Sequence, residues 1–352
     1  MTELMEDAIR EFNICNACRY CEGYCAVWDA IERQPSFLTS DMKYYSNLCH
    51  DCRECYYVCP YTGDHEFKLN IPKVLSELRL ETYSDNIWPR FAKKFLDHPI
   101  ASWGIVVSIS IIFTFGLAVF LSGVKFLVSP SMLSEQIIPD PYFKVLSLLL
   151  YAYVIIIWSV EGMKYWHSIK KPGRKITLRY FLLGLKDAFQ HKYFGGGGAG
   201  CNYPGEKGTT IRLVFHAMLL GGFILDLATI LFYPDMGRVI VWSYTAGAAA
   251  MFLGSSFLLA FKPSSNQLLM VTAMKQNDYP FTTAMMLTGL TGILFPIASG
   301  SLFYSYFFLI HVALIAAIFL MAPYSKFLHP VFRVVSLAAN RSEAEGFTFE
   351  SS

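Results

Sequence analysis

Eight of the nine cysteines in this 352-residue chain fall into two matched runs. Cys49, Cys52, Cys55 and Cys59 read C-x2-C-x2-C-x3-C and precede Pro60, while Cys15, Cys18, Cys21 and Cys25 repeat the spacing and precede Ala26. At this spacing three thiolates close around one iron–sulfur cube and the fourth crosses to a neighbouring cube. The expected ligand sets are Cys15, Cys18, Cys21 and Cys59 for one [4Fe–4S] cluster, and Cys49, Cys52, Cys55 and Cys25 for the other. A disulfide framework would need an oxidising compartment, and zinc sites rarely draw three cysteines at such spacing. His50 and His65 lie beside the runs. Eight thiolates already suffice, so both are expected to be surface or supporting residues.

A b-type haem held by two histidines needs neutral imidazoles at similar depth on neighbouring helices. His216 lies about one turn into the third apolar stretch of the chain. His311 and His329 are expected on the sixth stretch, 18 residues apart, or about 27 Å at helical rise, near opposite faces of a membrane. His329, just before Pro330, matches His216 in depth, so this pair is the expected haem site. His98 and His167 lie at the same boundary and compete with them. Ionisable residues at membrane depth are costly and tend to be functional, which singles out Asp226 and Glu161. Asp226, together with His311, is a candidate for a quinone contact or a proton relay. Hydrogen bonding within the bundle is its plainer role.

The elements that must position these residues follow from composition. The chain is 54% hydrophobic and 16% charged, too apolar for an ordinary soluble protein. Six stretches are long enough to cross a bilayer, near 103–127, 142–163, 211–233, 239–261, 281–300 and 303–323, the last two joined by a short turn around Gly300. Ten Lys or Arg residues fall between positions 164 and 212, and placing that loop inside satisfies the positive-inside rule. Both termini are then cytoplasmic. No apolar signal-peptide core precedes Cys15, which puts the cysteines on the same reducing side. Residues 1–100 read as a helical two-cluster domain, with stripes at Leu4, Ala8, Ile9, Phe12 and at Ile71, Val74, Leu75, Leu78. Residues 101–330 read as the membrane domain, with a cytoplasmic loop at 164–210, and 331–352 as a cytoplasmic tail. The glycine-rich tract Gly195–Gly198, continuing to Cys201, lacks the strand and helix of a nucleotide loop. It is expected to pack against the cluster domain, a haem or a partner. The net charge of +2 and the scattered basic residues give no footprint for nucleic acid.

The membrane part resembles the cytochrome b subunit of respiratory nitrate reductases. There one helix carries two histidines ten residues apart and the last helix two that are 18 apart. His311 and His329 reproduce the second spacing, but the position ten residues after His216 is Asp226. The resemblance therefore implies one retained inner haem, on His216 and His329. Over its full length, the tandem cysteine runs, the six spans and the Gly200-Cys201-Asn202-Tyr203-Pro204-Gly205-Glu206 loop resemble the tricarballylate utilization protein B, or CitB, family. That resemblance implies electrons taken from the reduced flavin of a soluble FAD-dependent tricarballylate dehydrogenase. They would pass through two [4Fe–4S] clusters on the eight cysteines, and haem, to acceptors in the membrane. No flavin fingerprint occurs here, so the dehydrogenase is expected to be a separate chain.

The expected fold is all-α: a helical two-[4Fe–4S] ferredoxin-type domain, then a six-helix transmembrane bundle. The expected role is the electron-transfer subunit of an oxidoreductase, delivering to quinone in a bacterial inner membrane. The rivals are a conduit for a heterodisulfide-reductase-like or succinate-type partner, and a redox sensor. A transporter is disfavoured because the spans show no paired broken helices.

Overall fold

The computed structural model describes residues 2–129, 132–196, 200–232 and 237–350, and their regular structure is helical apart from one isolated bridge, Cys201–Thr209. The chain is all-α. It begins with α1 (Glu3–Cys18), α2 (Ala26–Glu32), α3 (Thr39–Leu48), α4 (Glu54–Tyr57) and α5 (Ile71–Asn86). Thr2 caps α1 by accepting from the Met5 amide, and Asn70 caps α5 by accepting from Lys73, with Pro72 in the first turn. These are the residue types that satisfy the orphan donors of a helix start. On α1 the buried stripe is Met5, Ala8 and Phe12, with Leu4 and Ile9 at its edge. Phe12 meets Trp28, Phe37 and Tyr45 at ring distances of 6.5, 6.1 and 5.4 Å. On α5 all four expected positions, Ile71, Val74, Leu75 and Leu78, are buried.

The chain continues through α6 (Lys93–Asp97), α7 (Pro99–Ser122), α8 (Ser134–Ile137), α9 (Asp140–Ile169), α10 (Leu178–Phe189), α11 (Ile211–Phe232), α12 (Gly237–Ser264), α13 (Thr272–Ile297), α14 (Phe303–Met321) and α15 (His329–Glu350). Among the described residues six segments are long and apolar enough to cross a membrane: Pro99–Leu127, Asp140–Ile169, Ile211–Ala228, Trp242–Ser264, Thr272–Ile297 and Phe303–Tyr324. The far end of the third expected span, at 233, lies outside the described residues. The outward faces of α7 and α9 expose Ile105, Ile112, Phe120, Leu148, Leu149 and Ile155, an apolar surface suited to lipid. Helices α11 to α14 pack in sequence, and α14 returns to α7. Gly254 on α12 would set a Cβ 2.6 Å from the Phe215 carbonyl oxygen, so only glycine permits this approach of α11 and α12.

Two departures from the sequence reading matter for the site. His311 and His329 do not share a helix. After α14 the chain breaks into 3-10 turns at Ala322–Tyr324 and Lys326–Leu328, with Pro323 in the first, and His329 opens α15. A proline inside a helix removes a backbone donor and crowds the preceding turn, so the 27 Å axial spacing does not apply.

The segment 331–352, expected as a tail, forms most of α15 and packs against α10, α3, α9 and α2. Arg174 is fully buried there, 2.7 Å from Asp41, 2.8 Å from Glu343 and 4.1 Å above the Tyr44 ring, while Lys171 reaches Asp41 at 2.5 Å. The ion network ties α3, the segment after α9 and α15 together. Helix α9 itself runs on into the N-terminal core, where Tyr165 stacks on Phe332 at 4.3 Å and bonds Ser336 at 2.7 Å. Glu161 accepts the Trp88 amide at 3.0 Å, a structural duty for one of the two acids singled out at membrane depth.

Candidate functional site

Cys15 and Cys18 occupy the last turn of α1. Arg19 then turns the chain in the left-handed region, φ 54°, and Gly23 does so again at 75°. These two bends bring Cys21 back beside the end of α1, and Cys25 becomes the N-cap of α2. The second run starts at Cys49, which ends α3. Asp51 and Arg53 both take positive φ, 52° and 67°. Such conformations cost about 1–3 kcal/mol each in a non-glycine residue and gather at functional sites. Here they turn Cys49, Cys52 and Cys55 toward one hollow.

The thiols sort into two groups. Cys15 has Cys59, Cys21 and Cys18 for neighbours, and Cys21 has Cys59 and Cys18. Cys25 stands beside Cys49, and Cys52 and Cys55 beside both of these, with Cys21 of the first group a weaker neighbour of Cys55. An enclosed hollow is lined by Cys25, Cys49, Cys52 and Cys55 together, with Trp28 and Leu75 among its apolar walls. The fourth cysteine of each run thus lies with the first three of the other run.

Burial, reinforced by the adjacent thiols, pushes Cys21 and Cys25 up to about 12 and raises Cys15, Cys52 and Cys55 further. Such packed thiols ionise together only when a cation replaces their protons. Among the described residues no three ligands converge as they would on a single ion. Backbone amides add N–H···S bonds, Asp51 to Cys49 at 3.3 Å and Tyr61 to Cys59 at 3.4 Å. In the first group Cys18 is exposed, Cys15 and Cys59 are half-buried and Cys21 is buried.

The Cys49 group backs onto a second, larger cavity of about 310 Å³, within the range of small-molecule and cofactor sites. His50 lines both hollows, and His191, His216 and His329 line the larger one. The His216 and His329 ring centres are 6.4 Å apart, with planes at 70°. Two imidazoles on one metal, at about 2 Å per bond, put their ring centres at nearly this distance.

Hydrogen bonds fix which nitrogens are offered. His329 Nδ1 faces the Lys326 carbonyl at 2.8 Å. A carbonyl only accepts, so the proton sits on Nδ1 and Nε2 keeps its lone pair. His191 Nδ1 donates likewise to Phe189 O at 3.1 Å, and its Nε2 accepts from His216 Nδ1 at 2.9 Å. His216 Nε2 is therefore also a free lone pair. Burial holds His329 down at about 3 and lowers His191, so both are neutral. Metal-binding histidines are held by this same outer bond through the second nitrogen. The residues present fit a haem.

His191 was missed in the sequence because it lies on a loop, with no apolar periodicity to place it. The competing His98 and His167 are exposed, and neither lines the cavity. His65 accepts the Phe67 amide at 3.1 Å beside Tyr61, on the outer face of the domain.

The glycine-rich loop closes the inner cysteine group. Gly197 and Gly198 lie outside the described residues, but Asn202 N donates to Cys52 O at 2.8 Å and the Cys201 thiol lies 3.6 Å from the same oxygen. Tyr203 lies under both Arg53 and Arg212, at 4.5 and 4.8 Å. Arg212, one turn before His216, donates to the carbonyls of His50 and Asp51 at 3.2 and 2.6 Å. One side chain thus spans from the second cysteine run to the histidine helix.

Asp226 and His311 lie elsewhere in the bundle. His311 Nδ1 donates to Thr288 O at 3.0 Å, and its Nε2 accepts from the Tyr244 hydroxyl at 2.7 Å. A hollow of about 20 Å³ beside Asp226 and Thr288 has room for a water and none for a quinone ring.

Comparison with known proteins gives two matches. The citrate utilization protein B Fer4-like domain matches residues 8–85. Citrate utilization protein B of Escherichia coli is 30% identical over 355 residues, an alignment covering 96% of this chain and 92% of that protein. No solved structure matches.

Proposed function

The chain belongs to the citrate utilization protein B family, and from that footing we propose that it carries electrons from the reduced flavin of a soluble FAD-dependent dehydrogenase to quinone in a bacterial cytoplasmic membrane. The Fer4-like domain and the six apolar helices make it a multi-pass, iron–sulfur electron-transfer protein. In this reading Cys15, Cys18, Cys21 and Cys59 hold one [4Fe–4S] cluster, Cys49, Cys52, Cys55 and Cys25 hold the second, and His216 and His329 hold a haem b. When bound, these groups supply one-electron carriers that divide the electron pair of a flavin into single steps.

The chain's own residues set the order. The exposed Cys18 side faces the dehydrogenase, and the Cys49 side meets the haem cavity across His50. Arg212 and the Gly200–Glu206 loop hold the two halves at fixed distance and keep water from the inner cysteines. Asp226, with His311, serves proton movement in the bundle rather than quinone contact, because the hollow beside Asp226 is water-sized. The working division is a cluster domain at 1–100 and a membrane domain at 101–330, with both termini cytoplasmic. The dehydrogenase substrate is a tricarboxylate. The relative's name speaks of citrate use and the loop and cysteine runs resemble the tricarballylate family, while no site for such an acid is proposed on this chain.

The observation that carries this reading is the four-and-four sorting of the cysteines, with the inner group sharing His50 with a histidine-lined cavity. Protein purified without oxygen should contain about eight irons per chain, give cubane EPR signals on reduction, and show a b-type α-band. Reduced dehydrogenase should then drive quinone reduction through it. Iron far below that content would overturn the cluster reading, and absence of the α-band the haem reading.

A further inference from the structure

We infer that Arg79, Arg212 and Arg333 form a cationic collar making the Cys25, Cys49, Cys52 and Cys55 site a stronger electron acceptor than the Cys15, Cys18, Cys21 and Cys59 site. The inference rests on the two-cluster reading and adds a direction to it.

Arg79 donates to Ser46 O at 2.8 Å and to Cys49 O at 2.7 Å. Arg333 donates to Leu48 O at 3.2 Å and to the same Cys49 O at 2.7 Å. Arg212 adds His50 O and Asp51 O. Three guanidinium groups from α5, α11 and α15 thus converge on the six-residue stretch that carries the first ligand of the inner site. Cations suit the carbonyl end of a helix such as α3, but one would satisfy that need. Two on one carbonyl repel each other.

Among the described residues none of the three forms an ion pair with a carboxylate. Asp51, whose carbonyl Arg212 contacts, has its carboxylate paired with Arg53 at 3.3 Å, and in the adjoining cavity Asp278 is paired with Lys326 at 2.6 Å. Clustered cations away from bulk water call for negative charge nearby. A cube gripped by four thiolates supplies it.

The outer site has acids rather than a collar of arginines beside it. Glu11 stands beside Cys15 and Cys59, and Glu54, which also lines the inner hollow, lies beside Cys21. Arg10 lies 3.8 Å from Glu11 and is held more closely by Asp7, at 2.7 Å. Each added electron makes a cube more negative, so net charge and fixed charges around it set its potential. Arginines favour the reduced form of the inner site, and a glutamate disfavours it at the outer one wherever it is ionised. The net event is one electron lost at the outer site and one gained at the inner. No bond is made or broken and no proton moves, and the reductant is the reduced flavin of the partner.

Potentiometric EPR of the full-length protein tests this. In the unaltered protein the inner signal, identified by its loss in Cys25→Ser, should titrate above the outer one. Arg79→Gln and Arg333→Gln keep an amide donor for the carbonyl but remove the charge. Each should move the inner signal to lower potential by about 59 mV, tenfold in the one-electron equilibrium, and leave the outer signal in place. Arg79→Lys and Arg333→Lys should stay near the unaltered potential. An inner signal at or below the outer one would overturn the inference, as would equal shifts in the Gln and Lys variants. Absence of two distinguishable cubane signals in the unaltered protein would instead sink the two-cluster reading beneath it.

Discussion

Replacing His191 with alanine probes the haem reading at a residue that would not itself touch iron. His191 accepts the Nδ1 proton of His216 across 2.9 Å, and its own tautomer is fixed by Phe189 O at 3.1 Å. Deletion leaves the His216 donor buried and unpaired, a cost of about 1–3 kcal/mol. At 1.4 kcal/mol per decade that corresponds to roughly five- to 150-fold in affinity. Loss of an outer-sphere partner of a metal-bound histidine costs about 10–100-fold, so the two routes agree. A hydrogen bond at Nδ1 also enriches the ligating nitrogen in electrons. Its removal should make the ferric state less stable and raise the haem midpoint potential.

The assay is haem retention against an apo-haem-protein scavenger, paired with potentiometry of the α-band. His191→Ala should release haem tenfold to a hundredfold more readily and titrate higher, with iron–sulfur content unchanged. His191→Gln, whose amide oxygen can accept the same proton, should recover much of both. Full retention at the original potential in His191→Ala would refute the role given to His191. An unaltered protein without an α-band would refute the haem itself.

Three further outcomes are expected. Cys59→Ser, although in the second run, should remove the outer signal and about four irons per chain while sparing the inner one. Loss of the inner signal instead would contradict the crossed pairing. Glu11 is pushed up to about 7 by burial while accepting the Asn70 amide at 3.1 Å. Its folded form holds a proton that the unfolded form has lost above about 4.5. Stability should therefore fall as pH rises from about 5 to 7, by up to about 3 kcal/mol, and Glu11→Gln should flatten thermal midpoints measured across that range. Arg174→Met leaves Asp41 to Lys171 alone and Glu343 to Arg33 at 3.8 Å, and should destabilise the docking of α15 by less than the about 3–5 kcal/mol of a wholly unpaired buried charge. Protease sensitivity of the chain beyond His329 in detergent reads this directly, and an unchanged cleavage rate would show that the network does not hold α15.

Resemblance and residue pattern together made much of this protein legible before its structure. Cysteine spacing is a covalent property: ligands three residues apart must reach one centre wherever the domain folds. The six membrane helices were legible for a similar reason, since about 20 apolar residues declare themselves whatever packs beside them. His216 and His329 were paired by depth, on a premise the fold does not keep, a continuous helix through Pro323. The break at Ala322–Leu328 reorients the chain, yet still presents His329 6.4 Å from His216.

Sequence alone thus determined what depends on neighbours along the chain: the all-α class, the tandem cysteine runs, the apolar spans and the apolar stripes of α1 and α5. Tertiary structure decided what depends on neighbours across it. It made the supposed tail a packed helix, set His191 behind His216, and brought Arg79, Arg212 and Arg333 to one stretch of backbone. These partners are separated by tens to hundreds of residues, and their side chains leave loops and helix ends at angles that no periodicity records. Spacing fixes where a ligand can reach, and only the assembled fold fixes which charges and protons it finds there.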